Sequence, residues 1–348
     1  MKNYNWIKRF NKPLFICGPC SLDKKKYFFK IIKKLYSYNI KIFRIGIWKP
    51  RTYPNNFEGL GKKSFKWIKQ IKKKFKDILF ATEIGNVKHI SLCIKNKIDI
   101  LWIGARTTTN PFLITEISKK LKNTSKIILI KNTIHNEIDL LLGCIKRLQI
   151  NNIKNIGIIH RGCYNPYKGY YRNFIEWNII NKIKKKIPNL PIFFDPSHIT
   201  GNYKFIFKLL KQSIYFQYSG YFIESHINPK KALSDNTQQL KPKILNIYKK
   251  KILQLYNKKI NNIFIKKKRL ELEELDKKII LILSNRIQII KDIYKYKKKY
   301  NILLFNKKRY QSIIKNYKKF LCNNKIHYKY YILKIFKIIH YISLIIQK

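Results

Sequence analysis

The chain has 348 residues, of which 76 are lysine or arginine and 17 are aspartate or glutamate, so its formal net charge is +59. Such a charge is typical of proteins that bind nucleic acid or anionic membranes. Lysine is nevertheless spread through almost every segment, and neither zinc-finger spacing nor a glycine/aromatic RNA-binding signature accompanies it. We therefore expect no nucleic-acid partner. The length suffices for a large domain and a small one, or for two medium ones.

The N-terminus, the cysteines and the apolar runs indicate the compartment. The first ten residues carry charge but lack the apolar segment of a secretory signal, and six cysteines are scattered along the chain. The apolar stretch of residues 331–348 is interrupted by Lys334, Lys337 and His340, which argues against a membrane span. We expect a cytoplasmic protein without membrane contact.

Eight short apolar runs alternate with lysine-rich segments of helical spacing. The runs are residues 14–16, 40–45, 78–82, 98–103, 127–130, 156–159, 191–194 and 220–223. Eight strands that alternate with helices within about 250 residues are typical of a closed parallel (β/α)8 barrel, an α/β fold whose active site lies where the strands end. An open doubly wound sheet is the alternative, but it would concentrate polar motifs at one switch point.

Polar residues follow every one of these runs. Four of them come from different strand ends and combine a thiol, an imidazole and two carboxylates: Cys20, His198, Glu224 and Asp235. Each alone has an ordinary structural explanation, but together they suit a divalent transition metal ion. Mn, Fe, Co and Zn all remain open.

A second set of strand-end residues is cationic. It consists of Arg44, Lys49, Arg51, Arg106, Lys131 and Arg161. Within residues 40–61, an apolar run leads into a loop where Thr52 adds a hydroxyl group to these charges. Six cations around one pocket predict that it binds polyanionic substrates, with two phosphates and a carboxylate in total.

The motifs GPCS, KPRT, GAR, RG, DPSH and ALSD, in this order, resemble those of the shorter 3-deoxy-D-arabino-heptulosonate 7-phosphate (DAHP) synthases. The resemblance implies a metal-dependent condensation of phosphoenolpyruvate with erythrose 4-phosphate, with the metal on Cys20, His198, Glu224 and Asp235. It places Arg44, Lys49 and Lys131 at the phosphoenolpyruvate carboxylate, Arg106 and Arg161 at its phosphate, and Arg51 and Thr52 at the sugar phosphate. Lys49 and Glu83 are candidates for proton transfer.

Two alternatives concern the same region. The related 8-phosphate octulosonate synthases are disfavoured because residues 49–52 read KPRT. The segment from Cys17 to Cys20 also has the C-x-x-C spacing of thioredoxin-type redox sites. No helix-opening pattern follows it at once, so redox catalysis is the weaker interpretation.

The barrel pattern stops after Pro242, and we assign residues 1–257 to the barrel, 258–265 to a linker and 266–348 to a small all-α helical domain. Residues 266–299 predict one long amphipathic helix with Leu275, Ile279, Ile282, Ile290 and Ile293 on one stripe. Arg286 and Lys297 share that stripe, which predicts an anionic partner. Arg269 lies seventeen residues before Arg286, about 25 Å away along a helix, so it would serve that pocket only from a second subunit.

This region resembles an all-α chorismate mutase, on Arg269, Leu275-Asp276, Arg286, Lys297, Arg309, Ser343 and Gln347. The resemblance implies a three-helix domain in a homodimer or higher oligomer. It places Arg269, Arg286, Arg309 and Ser343 at chorismate, while Lys297 and Gln347 donate to the ether oxygen. Asn306 and Tyr310 stand where this family commonly has acidic residues. We therefore expect a bifunctional enzyme; the alternative is a synthase whose helical domain only binds chorismate or prephenate as a regulator.

Overall fold

The computed structural model describes residues 4–10, 13–135, 137–165, 169–257, 262–303, 305–324 and 326–346. They divide into two compact units, Met1–Lys258 and Lys259–Lys348. Within the described residues, no helix is both long and apolar enough to span a membrane.

The first unit is a closed barrel of eight parallel strands in chain order, which confirms the predicted (β/α)8 fold over the doubly wound alternative. The strands are β1 Leu14–Gly18, β2 Ile42–Arg44, β3 Leu79–Ile84, β4 Ile100–Ile103, β5 Ile127–Lys131, β6 Ile156–His160, β7 Ile192–Phe194 and β8 Gly220–Glu224. The barrel closes where β1 pairs with β8, from Leu14 opposite Gly220 to Gly18 opposite Glu224. All eight carboxyl ends therefore lie at one mouth.

Helices surround the barrel. They are α1 Lys25–Tyr36, α2 Phe65–Lys74, α3 Val87–Lys95, α4 Ala105–Thr108, α5 Pro111–Leu121, α6 Ile138–Ile150, α7 Asn178–Lys186, α8 Pro196–Thr200, α9 Ile206–Ser213 and α10 Pro242–Asn257. The long ones are amphipathic: α1 buries Phe28, Ile31, Ile32 and Leu35, while its lysines lie on the other face. The lysines of α1 are therefore exposed to solvent.

The second unit consists of three helices: α11 Asn262–Lys299, α12 Lys307–Asn323 and α13 Lys329–Ile345. The long helix predicted over residues 266–299 is present, and it begins at Asn262, inside the segment predicted as a linker. In the described part of this unit, Ile290 and Leu321 are the buried large apolar side chains. The predicted apolar stripe is otherwise uncovered, since Leu275, Ile279 and Ile282 are each more than half exposed.

Candidate active site

A cavity of about 420 Å³ lies at the mouth formed by the strand ends. The cations on its described lining are Lys49, Arg51, Arg106, Lys131, Arg161 and Arg172, and the acids are Glu83 and Asp235. Five of the six cations predicted for this pocket therefore line one cavity. The excess of positive charge makes it suitable for an anionic ligand with more than one charged group.

The four predicted metal ligands, which we name the ligand cluster, lie beside this cavity, and two of them, His198 and Asp235, line it. Ligand atoms of Cys20, Glu224 and Asp235 all lie within 4.8 Å of one another. His198 is adjacent, with Nε2 at 3.7 Å from Glu224 Oε1. The sequence places these residues at the ends of β1, β7 and β8 and in the loop after β8, and barrel closure brings them together.

A cation already contacts the ligand cluster. The Lys49 ammonium donates to Cys20 Sγ at 2.9 Å and to Asp235 Oδ2 at 2.7 Å. Two members of this set of one thiol, one imidazole and two carboxylates therefore already contact a positive charge. This chemistry fits a divalent transition metal ion.

The charges of the ligand cluster are coupled. Burial raises the pKa of the Cys20 thiol to about 12, and the neighbouring Glu224 carboxylate adds to this rise. Burial by itself would raise the pKa of Asp235, but the Lys49 ammonium lowers it overall. Burial by itself would lower the pKa of Lys49, but Cys20 and the two carboxylates raise it overall, so the ammonium stays protonated. A bound metal ion would deprotonate the thiol.

Arg44 lies outside the described lining of the cavity and is 1% exposed. Its guanidinium donates to Glu224 Oε1 at 2.8 Å and lies 4.4 Å from the centre of the Phe222 ring. Arg44, which we expected at a substrate carboxylate, is thus paired with Glu224 of the ligand cluster. This pair lowers the pKa of Glu224 against the opposing effect of burial.

Within the part of the chain that the structure describes, Arg106 and Lys131 have few close partners of opposite charge. Arg106 donates to Thr52 Oγ1 at 2.9 Å, and Lys131 Nζ lies 3.9 Å from Asp195 Oδ2. Burial lowers the pKa values of Lys131 and Arg161. Their charge is therefore under-compensated, and an anion in the cavity would relieve it.

Glu83 is held by a neighbouring strand. Its Oε2 accepts a hydrogen bond from Trp102 Nε1 at 2.8 Å, and a Cβ atom built on Gly104 would lie 2.3 Å from its Oε1. A side chain at position 104 would therefore require this carboxylate to move. Glu83 lines the cavity, as expected for a proton-transfer candidate.

Two buried side chains near the mouth belong to the scaffold. His160 Nδ1 lies 2.7 Å from the Tyr218 hydroxyl, and burial lowers the pKa of His160 to about 3, so this imidazole is neutral. Cys17 is buried in the barrel core, and burial raises the pKa of its thiol to about 12. A reactive redox cysteine has the opposite property, which disfavours the C-x-x-C interpretation.

In the helical unit, two predicted site residues meet. Arg286 donates to Ser343 Oγ at 2.6 Å, which joins α11 to α13. Lys297 is half-buried and donates to the carbonyl of Leu303. Arg269 and Arg309 are exposed, and Gln347 lies outside the described residues.

The departures from the mutase pattern have structural roles in this unit. Asn306 caps α12, because its side chain accepts from the backbone amide of Arg309 at 2.9 Å. Tyr310 packs against His340, with ring centres 4.6 Å apart.

Comparison with known proteins identifies both units. Residues 7–260 match the family model of the DAHP synthetase I family, and residues 268–348 match that of chorismate mutase type II. The chain belongs to the DAHP synthetase I family. Its C-terminal unit is a chorismate mutase type II domain.

Individual relatives agree with this family. A phospho-2-dehydro-3-deoxyheptonate aldolase of Thermotoga maritima is 28% identical over 225 residues, which cover 65% of this chain and 64% of that protein. The chain thus spans less than two thirds of that relative's length. A crystal structure of the aldolase (DAHP synthase) from the same organism matches with a TM-score of 0.63 at 27% identity, and covers 70% of this chain and 68% of that one. A 2-dehydro-3-deoxyphosphooctonate aldolase of Rickettsia prowazekii is 25% identical, over 66% of this chain and 86% of that protein.

Sequence reasoning missed two polar residues at the barrel mouth. Arg172 lines the cavity and donates to Asp235 Oδ1 at 3.3 Å, and the buried Gln238 donates to Glu224 Oε2 at 2.7 Å. Arg172 lies in a loop well after β6 rather than directly at its end. The sequence shows a second arginine, Arg172, after the RG motif. Its position at the barrel mouth depends on how the loop folds, which the sequence pattern does not show.

Proposed function

We propose that the chain is a bifunctional enzyme. The barrel, assigned to residues 1–257, condenses phosphoenolpyruvate with erythrose 4-phosphate to DAHP with a divalent metal ion, and residues 266–348 rearrange chorismate to prephenate. The observation that carries the first activity is a cavity with six cations above a cluster of thiol, imidazole and carboxylates. Free cysteines, five of them buried, fit a reducing cytoplasm.

The cations of the cavity orient two anionic substrates. Arg106 and Arg161 take the phosphate of phosphoenolpyruvate, and Lys49 and Lys131 its carboxylate. Arg51 and Thr52 take the phosphate of the sugar. Holding both substrates in reacting geometry removes much of the entropic barrier of a bimolecular reaction. A direct contact between Arg44 and substrate stays a prediction, because this side chain is paired with Glu224.

The ligand cluster would hold the metal ion, through Cys20, His198, Glu224 and Asp235. When bound, such an ion supplies Lewis-acid polarisation of the aldehyde carbonyl. The new carbon–carbon bond leaves a cationic centre that water captures before phosphate departs. Glu83 and Lys49 are the candidates for moving the proton of this water.

The experiment is one preparation assayed for phosphoenolpyruvate loss with erythrose 4-phosphate, with and without a chelator, and separately for chorismate loss. Chelator-sensitive condensation with chelator-insensitive chorismate loss supports both activities. Condensation alone would make the helical domain a regulatory module. A pentose 5-phosphate is the matched control substrate, because three plus five carbons give the octonate of the Rickettsia relative. Preference for the pentose would contradict the DAHP assignment.

The mutase activity requires no nucleophile or base, since the rearrangement is pericyclic, and depends on positioning and electrostatics. Arg286 and Ser343 already form one polar pair between α11 and α13. Lys297 and Gln347 are proposed to donate to the ether oxygen, while Arg309 and the Arg269 of a second subunit bind the substrate.

Two features support a homodimer or higher homo-oligomer. The stripe with Leu275, Ile279 and Ile282 is exposed, and covering it with a second copy would bury large apolar area. Arg269 and Arg286 lie seventeen residues apart on α11, about 25 Å, which is too far for one site. Mixing inactive Arg269→Ala and Gln347→Ala chains should restore some mutase activity, whereas no recovery would indicate sites within single chains.

A further inference from the structure

Arg172 and Gln238 connect the two carboxylates of the ligand cluster. One guanidinium nitrogen of Arg172 donates to Asp235 Oδ1 at 3.3 Å and to Gln238 Oε1 at 3.2 Å. The amide nitrogen of Gln238 in turn donates to Glu224 Oε2 at 2.7 Å. We name this pair the carboxylate clamp.

The carboxylate clamp contacts only one oxygen of each acid. Asp235 turns its other oxygen, Oδ2, to the Cys20 thiol at 3.1 Å, and Glu224 turns its Oε1 towards His198 Nε2 at 3.7 Å. These second oxygens also accept from Lys49 Nζ at 2.7 Å and from Arg44 Nη2 at 2.8 Å, respectively, so the clamp holds one side of each carboxylate and a cation contacts the other. Fixing one oxygen sets the rotation of each carboxylate, and hence the direction in which the other can bind.

The backbone around the clamp is itself fixed. The amide of Arg172 donates to the carbonyl of Thr200, at the end of helix α8, which carries His198. Gly201 has a φ of +62°, and a Cβ there would lie 2.8 Å from Arg172 Cβ. The amide of Gln238 donates to the carbonyl of Asp235 within one turn. The backbone of the clamp is thus tied to the segments that carry His198 and Asp235.

Gln238 also has a defined orientation. Its side chain is 1% exposed, and its amide oxygen can accept from Arg172 only while its nitrogen donates to Glu224. Arg172 therefore selects the amide orientation that holds Glu224. Loss of Arg172 would remove one of the two partners that hold this amide orientation and leave the Glu224 carboxylate as the other.

We propose that Arg172 and Gln238 are positioning residues, which hold Glu224 and Asp235 in the arrangement that a divalent metal ion requires. This inference rests on the proposed metal-dependent function. Hydrogen bonds to metal-binding side chains typically contribute 10- to 100-fold to metal affinity. The clamp differs from Arg51, Arg106 and Arg161 because its partners are the ligands themselves, as are those of Arg44 and Lys49.

The test measures metal binding directly on the full chain. Free Mn²⁺ is quantified by electron paramagnetic resonance, and bound Co²⁺ by its d–d and thiolate charge-transfer absorption. Gln238→Met should weaken Mn²⁺ binding about 10- to 100-fold and alter the Co²⁺ spectrum. Arg172→Met should weaken it less, about 3- to 10-fold, since its guanidinium is half exposed. The double variant should lose less Mn²⁺ affinity than the product of the two single fold-changes, because both residues belong to one hydrogen-bond network.

Controls separate positioning from general damage. Gln212→Met on α9 and Arg147→Met on α6 make the same chemical changes away from the mouth and should leave Mn²⁺ affinity unchanged. Arg172→Lys retains a charged donor and should recover part of the lost affinity. If Gln238→Met fails to fold, the two variants at the exposed Arg172 carry the test.

Three results would overturn the proposal. Wild-type Mn²⁺ affinity and an unchanged Co²⁺ spectrum in Gln238→Met would remove its positioning role. Unchanged Mn²⁺ affinity in Arg172→Met, with a raised KM for the sugar phosphate, would make Arg172 a substrate ligand instead. Absence of Mn²⁺ and Co²⁺ binding by the wild-type chain would refute the metal-dependent function and the clamp with it, and this result is recognisable before any variant is made.

Discussion

Replacing Arg44 with methionine should destabilise the barrel as well as impair condensation. The change keeps an unbranched side chain but removes the charge that lies 2.8 Å from Glu224 Oε1. Both side chains of this pair are at most 1% exposed, so water cannot replace the lost partner. A second acid, Asp195, lies 3.9 Å from the same guanidinium and also loses charge compensation.

The magnitude follows from leaving a buried charge without its partner. Removing one member of a buried ion pair typically costs about 3–5 kcal/mol. We expect the lower end, about 3 kcal/mol, because Glu224 keeps the hydrogen bond from Gln238. For a domain of this size, each kcal/mol lowers Tm by about 2–4 °C, so the barrel should melt roughly 6–12 °C lower.

Tryptophan fluorescence in urea measures the barrel specifically, because all five tryptophans lie at or before position 177. Arg161→Met is the matched control, since the described residues place no carboxylate within ion-pair distance of Arg161. It should lose activity without losing stability. Glu224→Gln should in turn offset part of the Arg44→Met defect. Equal stability of the Arg44→Met and wild-type chains would refute the buried-pair argument.

Three further outcomes are expected. Gly104→Ala should displace the Glu83 carboxylate, so the condensation rate should fall at least tenfold. The free energy of unfolding should change by less than about 1 kcal/mol. Full condensation activity would exclude a role for the position of Glu83. The pKa of about 3 for His160 lies below its unfolded value of about 6.5, so its contribution to stability is complete above pH 6.5 and lost on acidification. Between pH 8 and pH 5, the free energy of unfolding measured in urea should fall by about 2 kcal/mol less in His160→Gln than in the wild-type chain. Equal falls in the two proteins would contradict this. Ser343→Ala removes an acceptor from Arg286, so kcat/KM for chorismate should drop roughly 10- to 100-fold with condensation unchanged; an unaltered mutase would argue against the pair.

In the helical domain, the apolar periodicity of the sequence predicts the helix correctly but not the burial of its apolar face. The 3-4 spacing of apolar residues predicts the long helix, and the structure begins it at Asn262, four residues earlier than expected. Spacing also predicts a buried stripe, whereas Leu275 and Ile282 are exposed in the single chain. Periodicity reports which face avoids water but not which surface covers it, because the covering surface can belong to another molecule.

The barrel and the types of residue at its mouth were determined by the sequence itself. Strand alternation is a local property, and eight alternations leave parallel closure as the compact solution, so residues such as Cys20 and His198 could be assigned to one mouth in advance. Which side chains pair with one another at that mouth was decided by the tertiary structure. Arg44 pairs with Glu224 instead of lining the cavity, and Arg172 returns from a distant loop to contact Asp235. The physical reason is that pairing depends on distances of a few ångströms and on burial, which arise only when the strand ends and loops pack together.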